Sequence, residues 1–217
     1  MNHLHRARLP FVPRGLRIGL LGGSFNPAHR GHLELSLFAL RRFRLDTVWW
    51  LVAPQNPLKP LHDMAPLSMR LAGARNMARH PLIKVLAPEA AWDCRYTVDT
   101  LHNLQCMRAG GRFVLLLGSD NWQQLPRWRH WRRIMRAVPV AVLRRDAYAG
   151  GLAGDCAAGA RYAFARRHPR DAWDLATQTP PVWIMADNPG WALSATMIRQ
   201  QKRDRSATTW PLNRPKP

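Results

Sequence analysis

Six short apolar runs, at residues 17–21, 47–52, 83–86, 113–117, 138–143 and 182–185, are separated by longer stretches whose apolar residues recur at helical spacing. No other feature restricts the fold as tightly. Runs this short and continuously apolar suit strands buried on both faces, and helices between them supply the crossovers that parallel pairing requires. Leu33, Leu37, Leu40 and Phe43 share one face of a helix over 31–43; Leu67, Leu71, Ala74 and Met77 do so over 66–79, and Val98, Leu101, Leu104 and Met107 over 97–107. A further short helix is expected at 128–135. The pattern implies an α/β protein with a parallel sheet of about five or six strands and helices on both faces.

In such a sheet ligands meet the loops at the carboxyl ends of the strands, which directs attention to residues 22–32, 53–60, 118–121 and 187–196. The first is the richest. Gly22-Gly23-Ser24-Phe25-Asn26-Pro27 ends a strand with two glycines, residues that tolerate positive φ and a close backbone approach. His29 and His32 stand just before and within the first turn of the next helix. A helix start offers free N–H groups and a partial positive charge, and histidines three residues apart can both donate to phosphoryl oxygens from one face. The same residues also fit a solvated structural turn, or half of a metal site, although no third ligand stands near them. Close to the other end, Ser194-Ala195-Thr196-Met197-Ile198-Arg199 sets two hydroxyls and a guanidinium at a helix start, the composition both of a second phosphate cradle and of an ordinary N-cap.

The chain of 217 residues is long enough for one domain with its own core. Lys and Arg total 33 against 13 Asp and Glu, a formal net charge of +20, and the sequence pI is about 11.7. Nearly all of this charge is arginine, scattered with pairs such as Arg41-Arg42 and Arg132-Arg133 and without the unbroken basic tail of a nucleic-acid arm. It reads as a solvated basic surface that concentrates anionic nucleotides, with neither nucleic acid nor a membrane expected as a partner. Cys94, Cys106 and Cys156 form no close pair and read as small buried apolar residues of a reducing compartment, the cytoplasm by default. The apolar run after the basic start, 18–21, is too short for a signal-peptide core or a membrane span. Residues 149–170, rich in Ala, Gly and Arg without a strand signal, read as an irregular insertion or a short surface helix outside the catalytic apparatus. Nothing distinguishes a monomer from a homo-oligomer.

Taken together, Gly22-Gly23-Ser24-Phe25-Asn26-Pro27-x-His29-x-Gly31-His32 and Ser194-x-Thr196-x-Ile198-Arg199 resemble the paired signatures of the nucleotidyltransferase superfamily with an H/T-x-G-H motif. Within it, the stretch from about 16 to 200 resembles the bacterial nicotinate-nucleotide adenylyltransferases, through Pro54 to Lys59, Tyr96-Thr97-x-Asp99-Thr100-Leu101, Gly118-Ser119-Asp120-Asn121, and Trp128 followed by Trp131. The resemblance implies a Rossmann-like nucleotidyltransferase domain at 16–203, with a basic extension at 1–15 and a proline-rich flexible tail at 204–217. It implies transfer of AMP from ATP to nicotinate mononucleotide, giving deamido-NAD and pyrophosphate, by direct in-line attack without a covalent intermediate.

The roles it implies are these. Gly22, Gly23, Ser24, Phe25, His29, His32, Gly118, Asp120, Ser194, Thr196 and Arg199 bind ATP, with His29, His32 and Arg199 catalytic. Asn26, Lys59, Thr97 and Trp128 bind the mononucleotide, Thr97 near its carboxylate and Trp128 stacked on its pyridine. Mg2+ bridges the ATP phosphates, with no protein metal cage. Read without the resemblance, Asp120 is as readily a helix N-cap. The chain departs from the family in Ser24 for threonine, Asn26 for aspartate, Asn56-Pro57-Leu58-Lys59 for Pro-Pro-His-Lys, and in lacking a clear apolar helix after 200. The alternatives are a related adenylyltransferase using nicotinamide mononucleotide or phosphopantetheine and, in a different class, a basic nucleic-acid-binding module.

Overall fold

Strand β1 (Arg17–Gly23) lies between β2 (Thr47–Val52) and β4 (Arg112–Gly118), parallel to both. The structure, a computed structural model, describes residues 9–54, 64–107, 110–144 and 156–187. Beyond β2 comes β3 (Ile83–Leu86); beyond β4 come β5 (Val140–Arg144), β7 (Trp183–Asp187) and finally β6 (Arg166–Arg167). Among the described residues the sheet thus has seven parallel strands in the order β3-β2-β1-β4-β5-β7-β6. Chain order reverses between β1 and β4, and the crevice at the carboxyl ends of those two strands is where such sheets take their ligands.

Both sheet faces are apolar because alternate residues of each run point to opposite sides and helices cover each. Leu20 stands in register with Trp49 and Leu115 and belongs to the face covered by α4 (Thr97–Met107) and α6 (Trp131–Ala137), through Val98, Leu101, Leu104, Ile134 and Met135. Leu21, Trp50 and Leu116 face the other way, onto Leu35, Ala39 and Leu40 of α1 (Arg30–Arg42), Ala74 of α2 (Leu67–Met77), and Leu175 of a 3-10 helix at Pro169–Thr177. At the end of the sheet away from the crevice, Arg17 locks β1 to the start of β2: its amide, Nε and Nη2 donate to the Asp46 carboxylate at 2.8, 3.2 and 2.7 Å. Leu9 and Val12 pack against the core, and Gly15, at φ +84°, donates its amide to the Gly110 carbonyl.

The structure differs from the sequence reading in several places. The helix expected at 128–135 begins only at Trp131, because Trp128 closes a 3-10 turn (Leu125–Arg127) and His130 takes a left-handed φ of 51°. Residues 156–170 are neither irregular nor merely superficial: they form α7 (Ala157–Arg161) and β6, and Ala158, Tyr162 and Ala165 are buried. Two short helices went unread, α3 (Pro88–Trp92) and α5 (Ser119–Gln124). The inward face of α2 is the expected one, with Leu67, Leu71, Ala74 and Met77 all on the core, but it also takes in a buried Arg70. Among the described residues no helix is long and apolar enough to cross a membrane.

Candidate active site

The loop from β1 into α1 carries the two histidines to the crevice. Gly22 and Gly23 are the last residues of β1, and neither has positive φ; the left-handed residue of the turn is Phe25, at φ 46°. That conformation is affordable because the Phe25 ring is buried and stacked on Trp50, centroids 5.0 Å apart. Phe25 therefore offers a ligand only its backbone. A Cβ built on Gly22 meets no atom within 4 Å, so this edge of the strand is open to an incoming group.

His29 is the N-cap of α1 and His32 its third residue, and their rings lie together, centroids 3.9 Å apart. The bonds between them are reciprocal: the His32 amide donates to the His29 carbonyl at 2.9 Å, and the His29 amide to His32 Nδ1 at 3.3 Å. The second of these bonds is the half of a capping box in which the third helical residue reaches back to the N-cap amide, with histidine in place of glutamate. A backbone amide can only donate, so Nδ1 accepts and the ring proton of His32 sits on Nε2. The His32 ring also rests on Phe25 (4.7 Å) and near Trp50 (5.9 Å). Beneath it a buried relay fixes the turn to the sheet: Trp50 Nε1 donates to Ser36 Oγ at 2.8 Å, and Ser36 Oγ donates to the His32 carbonyl at 2.8 Å. Neither Ser36 nor Trp50 was singled out in the sequence; Ser36, four residues after His32 on the buried face of α1, was the available signal.

Ser24 and Asn26 are both tied to the chain around α2, Ser24 by its backbone and Asn26 by its buried side chain. The Ser24 carbonyl accepts from the Arg70 guanidinium at 2.7 Å, and Asn26, buried, accepts the Ala65 amide on its Oδ1 at 3.3 Å. Across the switch point, Gly118 is the N-cap of α5 and Asp120 lies exposed in its first turn, so Asp120 does not cap that helix.

Thr97 opens α4, and Trp128 stands half-buried against the core. Their chain neighbours join them, since the Arg129 guanidinium lies over the Tyr96 ring, 4.7 Å from its centroid. A cavity of about 440 Å³ opens here, lined by Asp93, Cys94, Arg95, Tyr96, Asp99, Arg129, His130 and Arg133. Behind it, Thr100 Oγ1 donates to Glu89 at 3.2 Å, but burial dominates and pushes the Glu89 carboxyl up to about 7.

Folded protein keeps the Glu89 proton to a higher pH than unfolded chain does. Stability from this group is therefore intact below pH 4.5 and falls as pH rises toward 7, by about 3 kcal/mol at most. Glu89→Gln is expected to be more stable than wild type at pH 8 and equal to it near pH 4. Urea unfolding at the two pH values reads this directly, and an equal difference at both would contradict it.

Lys59, Ser194, Thr196 and Arg199 lie outside the described residues. Among the described residues no group of three or more His, Cys, Asp and Glu side chains is placed to hold a metal ion. Among the described residues, the loops at this end of the sheet carry the two histidines and an exposed carboxylate, Asp120.

A cytidylyltransferase-like family model matches residues 20–201. A probable nicotinate-nucleotide adenylyltransferase of Cereibacter sphaeroides is 50% identical over 187 residues, covering 86% of this chain and 98% of the relative. One from Mesorhizobium japonicum is 40% identical over 195 residues, covering 90% and 100%. Among solved structures, the Plasmodium falciparum nicotinic acid mononucleotide adenylyltransferase complexed with NaAD shares the fold, with a TM-score of 0.61 at 14% identity over 85% of this chain and 82% of that one.

Proposed function

Because this chain belongs to the cytidylyltransferase-like family and, within it, to the nicotinate-nucleotide adenylyltransferases, we propose that it transfers AMP from ATP to nicotinate mononucleotide, forming deamido-NAD and pyrophosphate. The observation that carries the reading is the pair of touching histidine rings at the N-terminus of α1, set at the switch point of the sheet. In the reaction a phosphate oxygen of the mononucleotide attacks the α-phosphorus of ATP. The α–β phosphoanhydride bond breaks, and its electron pair leaves on pyrophosphate. No protein nucleophile is needed, so the protein's work is alignment and charge neutralisation.

His29 and His32 bind the ATP phosphates, and His32 Nε2–H donates to the oxygens that gain charge as pyrophosphate departs. The helix N-terminus adds its partial positive charge. Ser194, Thr196 and Arg199 hold the β- and γ-phosphates from the other side, Arg199 through paired donors. Gly22, Gly23, Ser24 and Phe25 contribute backbone to the same end, and Gly118 and Asp120 meet the adenosine. Magnesium would be held on the phosphate oxygens of ATP bound beside His29 and His32, and would supply charge neutralisation there. Thr97 meets the nicotinate carboxylate, Trp128 stacks on the cationic pyridinium, and Lys59 meets the acceptor phosphate. Asn26 assists the acceptor side through the loop it ties down. The three cysteines, all free, accord with a cytoplasmic location.

The test is product identity. Purified protein with ATP, Mg2+ and nicotinate mononucleotide should release pyrophosphate and deamido-NAD in equal amounts; release of inorganic phosphate instead would point to hydrolysis and overturn the reading.

A further inference from the structure

Arg70, in the first turn of α2, is 3% exposed, and its guanidinium donates to backbone carbonyls from three separate stretches of chain. Nε donates to Ala65 at 2.8 Å, Nη1 to Ser24 and to Ala53, each at 2.7 Å, and Nη2 to Pro54 at 2.7 Å. Burial pulls its pKa down, and among the described residues no carboxylate is paired with it. A buried cation without a counter-charge is costly, and an apolar side chain would fill the same space at less cost. What an apolar side chain cannot do is gather four carbonyls.

The stretches gathered are those that carry the substrates on the adenylyl-transfer reading. Ser24 precedes the histidines in the loop after β1, and Ala53 and Pro54 begin the loop after β2. The Ala53 amide donates to the Gly23 carbonyl at 2.9 Å, and the Ala65 amide donates to Asn26 Oδ1, so Arg70 completes a patch in which the two loops are bonded to each other. We propose that Arg70 is a positioning residue: one guanidinium sets the spacing between the loop that holds the ATP phosphates and the loop that receives the acceptor. This rests on the reading of the chain as an adenylyltransferase. An in-line displacement is sensitive to that spacing, and a misplacement of about 1 Å costs on the order of 100-fold in rate.

The variants are Arg70→Met, Arg70→Lys and Arg70→Ala, assayed for kcat and for KM of each substrate beside thermal unfolding. For Arg70→Met, kcat should fall on the order of 100-fold while both KM values move much less. Arg70→Lys should fall as well, since an ammonium donates from one point and cannot span four carbonyls. Guanidinium ion at millimolar concentration should restore part of the Arg70→Ala rate and none to wild type. A folded Arg70→Met with wild-type kcat, or Arg70→Ala insensitive to guanidinium, overturns the proposal. If Arg70→Met does not fold, Arg70→Lys and the guanidinium series decide alone. Amide hydrogen exchange separates this inference from the reaction assignment: in Arg70→Lys, exchange should rise at Phe25, His29, Ala53 and Ala65 with the strands still protected. Unchanged exchange sinks the positioning role even if wild type makes deamido-NAD, whereas raised exchange in a chain that makes none sinks only the assignment.

Discussion

His32→Ala is expected to lower the rate of dinucleotide formation by about 100- to 1000-fold while the protein stays folded, because losing one preorganised donor to developing charge commonly costs about 3–4 kcal/mol at the transition state. The donor is preorganised in three ways. The His29 amide holds Nδ1 so that Nε2 carries the proton, Phe25 supports the ring face, and the Trp50–Ser36 relay anchors the carbonyl of the same residue. Only the first two are lost with the side chain, and His32 is not part of the closed core, so unfolding should shift little. Steady-state kinetics beside urea unfolding checks both halves. Near-normal turnover would remove His32 from the mechanism.

Trp183→Ala is expected to destabilise the protein by about 3–5 kcal/mol, the range for deleting a large buried aromatic. Trp183 is 1% exposed, packs on Trp122 with centroids 4.7 Å apart, and donates Nε1–H to the Tyr162 carbonyl at 2.7 Å. It thus joins β7 to α5 on one side and to the stretch after α7 on the other. Trp183→Phe keeps most of the packing and loses one of two bonds to the Tyr162 carbonyl, which still accepts the Ala165 amide at 3.0 Å, for a smaller loss of about 0.5–1.5 kcal/mol. Urea midpoints at constant m-value measure both. A loss below 1 kcal/mol for the alanine variant would mean that the β5–β7 side of the sheet contributes little to folding.

The parts of this molecule legible in its sequence are those dictated by periodicity and by local chemistry. Trp49, Trp50 and Leu51 in an unbroken apolar run could only be a strand covered on both sides, and His29 and His32 meet because three residues is nearly one helical turn. What escaped reading depends on partners distant in the chain. Arg70 sits four residues before Ala74 on the buried face of α2, yet an arginine in a basic chain looks solvated until the carbonyls of Ser24 and Ala53 appear beside it. Ser36 looks like an ordinary helix residue without Trp50, 14 positions away. The two residues of β6 carry no strand signal of their own and pair only because β7 offers an edge. Gly22 and Gly23 point to a glycine turn after β1, but stacking on Trp50 lets Phe25 adopt the left-handed conformation instead.

We propose that this crevice joins ATP to nicotinate mononucleotide in preference to other acceptors. Pyrophosphate release by the purified protein, with ATP and Mg2+ and with nicotinate mononucleotide, nicotinamide mononucleotide or phosphopantetheine in turn, measures it most directly. The highest kcat/KM should belong to nicotinate mononucleotide. A higher value for either other acceptor, or salt-sensitive nucleic-acid binding with no turnover of any of them, would contradict the account.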